Sequence, residues 1–71
     1  MTTGAQIRMA RAGARLTVRQ LAEMARVSPN TVTRIEGDQP ANTSTVGALR
    51  AALETAGVEF LDNGGVRLRT D

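Results

Sequence analysis

The stretch from Thr17 to Gly37, TVRQLAEMARVSPNTVTRIEG, leaves this chain few ways to fold. Thr17 with Gln20 three residues on has the spacing of a capping box, in which each side chain satisfies a backbone N–H at a helix start. Leu21, Ala22 and Ala25 then recur at helical spacing and define a stripe for a core. After Arg26 and Val27, Ser28-Pro29 opens a second helix. Serine is a favoured N-cap, and proline suits a first helical position because its missing N–H would be unpaired there. Val32 and Ile35 face inward at i and i+3, while Asn30, Thr31, Thr33 and Arg34 face outward. Gly37 ends the helix as a C′ residue. The turn between the two helices is too tight for a flexible linker.

Two capped helices with a small inner face and an outward polar row make the helix-turn-helix plan. Thr17, Leu21-Ala22, Ser28, Thr31-Val32 and Ile35-Glu36, in this order and spacing, resemble the Cro/phage-repressor type of regulator, the Xre family. With its flanking helices the resemblance covers roughly residues 3–56. Two positions depart from the family pattern. Val18 stands where a phosphate-contacting glutamine is common. Arg26 stands where the turn usually has glycine, so either the ideal turn geometry or its exact register lacks that support. The resemblance also implies a pair between a basic residue of the first helix and the glutamate closing the recognition helix. Here these are Arg11 and Glu36, with the guanidinium turned toward a phosphate as well.

Outside the motif, Thr3 and Gln6 repeat the capping-box spacing and predict a first helix over about residues 4–13. Ile7 and Ala10, with Met9 or Ala14, would face inward, and Arg8, Arg11 and Arg15 outward. After Gly37 comes a loop turned by Pro40, then a helix N-capped by Asn42. Val46, Leu49, Ala52, Leu53 and Ala56 form its inner stripe, and Gly57 its stop. From Val58 the period changes to two. Pairing Val58 with Leu68 and Phe60 with Val66 puts all four on one face and sets Glu59 opposite Arg67. That register needs a three-residue loop, Asp62 to Gly64, with a left-handed glycine. The predicted fold class is therefore mainly α: a four-helix Cro/repressor-like helix-turn-helix domain followed by a C-terminal β-hairpin.

Residues 1–57 form the DNA-binding domain in this reading, and residues 58–71 a hairpin of the same domain. The hairpin either folds over the helices with Phe60 plugging the core or pairs its edge with a second copy, as Cro-like proteins do. The second use is preferred, with Val58, Phe60, Leu61, Val66 and Leu68 at the dimer contact, because an isolated hairpin is marginal in water and leaves strand edges unpaired.

Composition narrows the function classes. At 71 residues the chain is one domain, near the lower size limit for an unstapled core. It has no cysteine and no histidine, which removes disulfides, thiolate or imidazole metal sites and the usual nucleophile–base pairs. No metal, cofactor or enzymatic activity is expected. The sole aromatic, Phe60, is too little for stacking along a single strand. No apolar run reaches membrane-span length and the N-terminus lacks a signal-peptide pattern, so the expected location is cytoplasmic, on the nucleoid.

All nine cations are arginine and the formal net charge is only +2, but the distribution is polar. Six arginines lie in residues 1–35 against Glu23 alone, and three in residues 36–71 against six acids. The front half would attract a polyanion.

A recognition helix enters the major groove with its N-terminal turn leading. The candidate base contacts are thus Pro29, Asn30, Thr33 and Arg34, with asparagine suited to adenine and arginine to guanine. Arg11, Arg19, Arg26, Ser28 and Thr31 are candidates for phosphate contacts. The function read from these residues is a sequence-specific double-stranded DNA-binding transcriptional regulator, acting as a two-fold homodimer on an inverted repeat. The alternative is a protein-interaction module of the same shape, an anti-activator or antitoxin that binds another regulatory protein.

Overall fold

Three of the four helices among the described residues begin at a side chain that caps them. The computed structural model describes residues 2–69, so the last two residues of the hairpin segment, 70 and 71, lie outside the described residues. In order along the chain come α1 (Gly4–Gly13), α2 (Val18–Ala25), α3 (Pro29–Glu36), α4 (Thr43–Thr55), β1 (Val58–Phe60) and β2 (Val66–Leu68). The result is a mainly helical small domain with a C-terminal antiparallel hairpin.

Both capping boxes are reciprocal. The Gln6 N–H donates to Thr3 Oγ1 at 3.1 Å and the Thr3 N–H to Gln6 Oε1 at 3.0 Å. Thr17 and Gln20 repeat this at 3.0 and 2.8 Å. Ser28 Oγ accepts from the Thr31 N–H at 3.2 Å, and Pro29 follows as the first residue of α3. Asn42 precedes α4 as expected, but its side chain makes no capping bond. Its backbone carbonyl accepts from Thr45 and Val46 instead, each at 3.1 Å.

The end of α3 differs by one residue from the sequence reading. Gly37 has φ −92 and serves as the C-cap, whereas Asp38, at φ 60, is the left-handed residue. The Asp38 N–H donates to Ile35 O and the Gln39 N–H to Arg34 O, both at 3.0 Å, which completes a Schellman turn. At the end of α4, Gly57 takes φ 101 and supplies the stop.

The core draws on every element except β2 for its fully buried side chains. Ile7 and Ala10 come from α1, Leu21 and Ala22 from α2, Val32 and Ile35 from α3, and Leu49, Ala52 and Leu53 from α4. Of the two candidates at the end of α1, Ala14 packs against the core and Met9 is exposed. One expectation fails at the margin: Ala56 is exposed because α4 has run past the core by its C-cap.

The hairpin register is Val58 with Leu68, Glu59 with Arg67 and Phe60 with Val66. Leu61 donates to Gly65 O at 3.0 Å and Gly64 takes φ 91, closing a three-residue loop. The apolar face does not stay free for a partner. Val58 and Phe60 are buried in the chain's own core and Val66 packs at its edge, because both strands lie on α1 and β1 also lies on α4. This corrects the placing of Val58 and Phe60 at a dimer contact. Leu61 is half-buried, and of the five only Leu68 is exposed, over about half its surface, while resting on Gly13.

Two polar side chains hold the hairpin down. Gln6, buried as well as capping α1, donates through Nε2 to Leu61 O and Gly65 O, each at 3.0 Å. Arg50 lies over the Phe60 ring, 5.0 Å from its centroid, in cation–π range. It also bonds Thr2 Oγ1 at 2.8 Å and Glu54 at 3.2 Å. No helix among the described residues is long and apolar enough to cross a membrane.

Candidate nucleic-acid interface

The outward side of α3 is built by its own inward side. With Val32 and Ile35 buried, helical geometry leaves Ser28, Pro29, Asn30, Thr33 and Arg34 exposed on one side. Thr31 is half-buried, its hydroxyl 2.8 Å from that of Ser28, so these two act first as a cap. Thr33 donates its hydroxyl to Pro29 O at 3.2 Å. A hydroxyl bonded inward in this way keeps its acceptor lone pairs and the neighbouring methyl for the outside.

The turn into α3 keeps the left-handed geometry in spite of Arg26. That residue has φ 59, and the Val27 N–H reaches back to Ala22 O at 3.0 Å. The glycine substitute therefore leaves the turn and its register intact, at a steric cost of about 1–2 kcal/mol for a side chain in that conformation. Val18, the other departure from the family pattern, is half-buried and packs against the core. A valine there fills space rather than offering a hydrogen bond, and Arg19 beside it is exposed.

Arg11 and Glu36 join the first helix to the last residue of α3. Arg11 Nε donates to Glu36 Oε2 at 2.6 Å and Nη2 to Oε1 at 3.0 Å, a two-pronged pair, while Nη1 donates to Leu16 O at 3.1 Å. The two side chains are 20% and 9% exposed. The hydrogen bonds from Arg11 to Glu36 raise its pKa against the opposing effect of burial, and the nearby negative charge adds to the rise. Arg11 is thus cationic at any working pH. Since a raised pKa contributes stability below the ordinary value, this contribution is lost only in strong alkali. Three of its five N–H donors are engaged by Glu36 and Leu16, and two have no partner among the described residues.

Beside α3 runs an open cleft of about 490 Å³, with Thr31 and Arg34 on one wall and Pro40, Ala41, Asn42 and Thr45 toward the other. Asn42 and Thr45 were not among the sequence candidates. Their approach to Arg34 depends on the Schellman turn at residues 37–39, which has no periodic signature. The arginine of the sequence list that stands furthest from a purely surface role is Arg11; Arg19, Arg26 and Arg34 are all exposed.

A tight left-handed turn, a clamped helix and an exposed polar row on that helix define a helix-turn-helix domain of the DNA-binding class. Residues 3–61 match a family model described as a helix-turn-helix domain, and the chain belongs to that family. The match agrees with the Xre/Cro-type resemblance and extends it through β1, beyond the residue 56 limit read from the motif. No curated protein matches the sequence. DNA is the partner this domain supports, and the family is typically non-enzymatic.

Proposed function

We propose that this protein is a sequence-specific transcriptional regulator that binds double-stranded DNA as a two-fold dimer on an inverted repeat. The observation that carries this reading is the exposure of Asn30, Thr33 and Arg34 on a helix clamped from behind by Arg11 and Glu36. A rigid helix with its hydrogen-bonding side chains outward has what a groove reader needs. Pro29, Asn30, Thr33 and Arg34 face base edges in this proposal. Ser28, Thr31, Arg19, Arg26 and the remaining donors of Arg11 face phosphates.

The dimer would form through the outer edge of β2. The bonds from Leu61 to Gly65 and from Arg69 to Gly57 fix the alternation of the ladder, so the N–H and C=O groups of Val66 and Leu68 point away from β1. Leu68 adds exposed apolar surface at that edge. Arg67 is paired with Glu59 across the hairpin, so two such edges can meet without opposing unpaired cations. Leu61 lies at the rim of this contact.

Selection of bound duplexes from a random pool at two salt concentrations tests the proposal. Enrichment of a palindrome supports class and symmetry together, whereas enrichment of a single half-site removes the dimer. Recovery of a protein partner with no enriched duplex favours the interaction-module reading, an anti-activator or antitoxin. On the selected site, Arg34→Ala is expected to lose roughly 1–3 kcal/mol and to relax the base choice at one position. Arg19→Ala should weaken all sequences alike and lower the salt slope by about 1. Fluorescence anisotropy over a salt series reads both.

A further inference from the structure

Two junctions of this fold are closed by arginine where the backbone asks for glycine. At the end of α1, Arg15 has φ 60; its N–H donates to Ala12 O at 3.1 Å, and the Leu16 N–H to Arg11 O at 3.0 Å. Arg26 closes α2 in the same left-handed conformation, at φ 59. A third such residue, Asp38, has a local reason. Its carboxylate lies against the start of α1, 2.7 Å from where a Cβ on Gly4 would stand, and negative charge is favoured at a helix N-terminus. Arg15 has no comparable partner among the described residues. It is exposed and enters no ion pair among the described residues, and the last turn of α1 already carries Arg11 as its basic residue.

The position is nonetheless held firmly. Leu16, next in the chain, gives its carbonyl to the same Arg11 guanidinium that grips Glu36 at the end of α3. The backbone of Arg15 is thereby tied to the helix that faces DNA, two residues ahead of the cap of α2. A charged residue kept where the backbone is strained, exposed and with no side-chain hydrogen bond or ion pair among the described residues, is a candidate for a contact outside the molecule.

We propose that Arg15 is a DNA-phosphate contact, so that cations held in left-handed turns stand at both ends of α2. This rests on the DNA-binding reading of α3. The proposed contact adds nothing to base choice and acts through counterion release alone.

The test uses Arg15→Gly, which relieves the backbone, and Arg15→Asn, which tolerates it without a charge. Thermal unfolding and affinity for the duplex selected with the wild-type chain are measured for each across a salt series. Arg15→Gly should raise Tm by about 2–6 °C. Both variants should bind roughly three- to tenfold more weakly in 0.1 M salt, with the salt slope smaller by about 0.9 and base preference unchanged. Wild-type affinity and slope in both variants would overturn the proposal while leaving the reading of α3 standing. Absence of duplex binding by the wild-type chain would instead overturn that reading, and this contact with it.

Discussion

Gly4→Ala should destabilise this fold by about 3 kcal/mol, the upper end of what overpacking a close contact costs. The first residue of α1 is buried against the end of α3, and a Cβ there would stand 2.1 Å from Ile35 O and 3.2 Å from the Ile35 carbonyl carbon. Both are backbone atoms, so no side chain can rotate away. The start of α1 must withdraw, or α3 must shift. Alanine's helix preference, about 1 kcal/mol over glycine in a helix interior, offsets little at a first helical position. Against the roughly 4–10 kcal/mol expected for a domain of this size, such a loss is severe. Urea unfolding should show a lower midpoint with an unchanged slope. A midpoint within experimental error of wild type would mean that α1 and α3 are not this close in solution.

The second large effect is expected at the other fastening of α3. Glu36→Gln keeps the shape and one acceptor but removes the charge that Arg11 faces with two nitrogens. An exposed pair contributes about 0–1 kcal/mol, and breaking a fully buried one costs about 3–5 kcal/mol. With side chains 20% and 9% exposed, this pair sits between those limits, and a loss of about 2 kcal/mol is expected. Glu59→Gln supplies the comparison, since its pair with Arg67 is solvent-exposed, and it should cost well under about 1 kcal/mol. Equal losses in the two variants would show that Arg11 and Glu36 act as ordinary surface charges. Because the pair also fixes the end of α3, Glu36→Gln should weaken duplex binding even where the protein remains fully folded.

The parts of the fold that were legible in the sequence are those decided by near neighbours. Thr3 with Gln6, Thr17 with Gln20, and Ser28 before Pro29 announce helix starts because the capping partners are three residues apart or fewer. The hairpin register was legible because a shift by one residue would have brought arginines onto the apolar face. The exposed row on α3 followed from the burial of Val32 and Ile35. What stayed hidden depends on distant residues. Gln6 reads as a cap, yet its amide also bonds carbonyls 55 and 59 positions away. Local propensity favours glycine at left-handed caps, so Arg15 and Asp38 gave no sign of that geometry, and Arg26 gave one only through the glycine usual at its place in the family. Glycine as such is silent about its neighbours, so the approach of Gly4 to Ile35 could not be read. The choice between lid and dimer contact for Val58 and Phe60 turned on whether α1 and α4 leave room for them, which no local pattern records.

Everything proposed for this protein depends on the outward side of α3 being the part that meets a duplex. Titration of the ¹⁵N-labelled chain with the selected duplex, followed by amide chemical shifts, tests that directly. The largest changes should fall on residues 28–34, with smaller ones at Arg19 and Arg26. Changes confined to the hairpin or to the outer side of α1, with residues 28–34 unmoved, would contradict that role for α3.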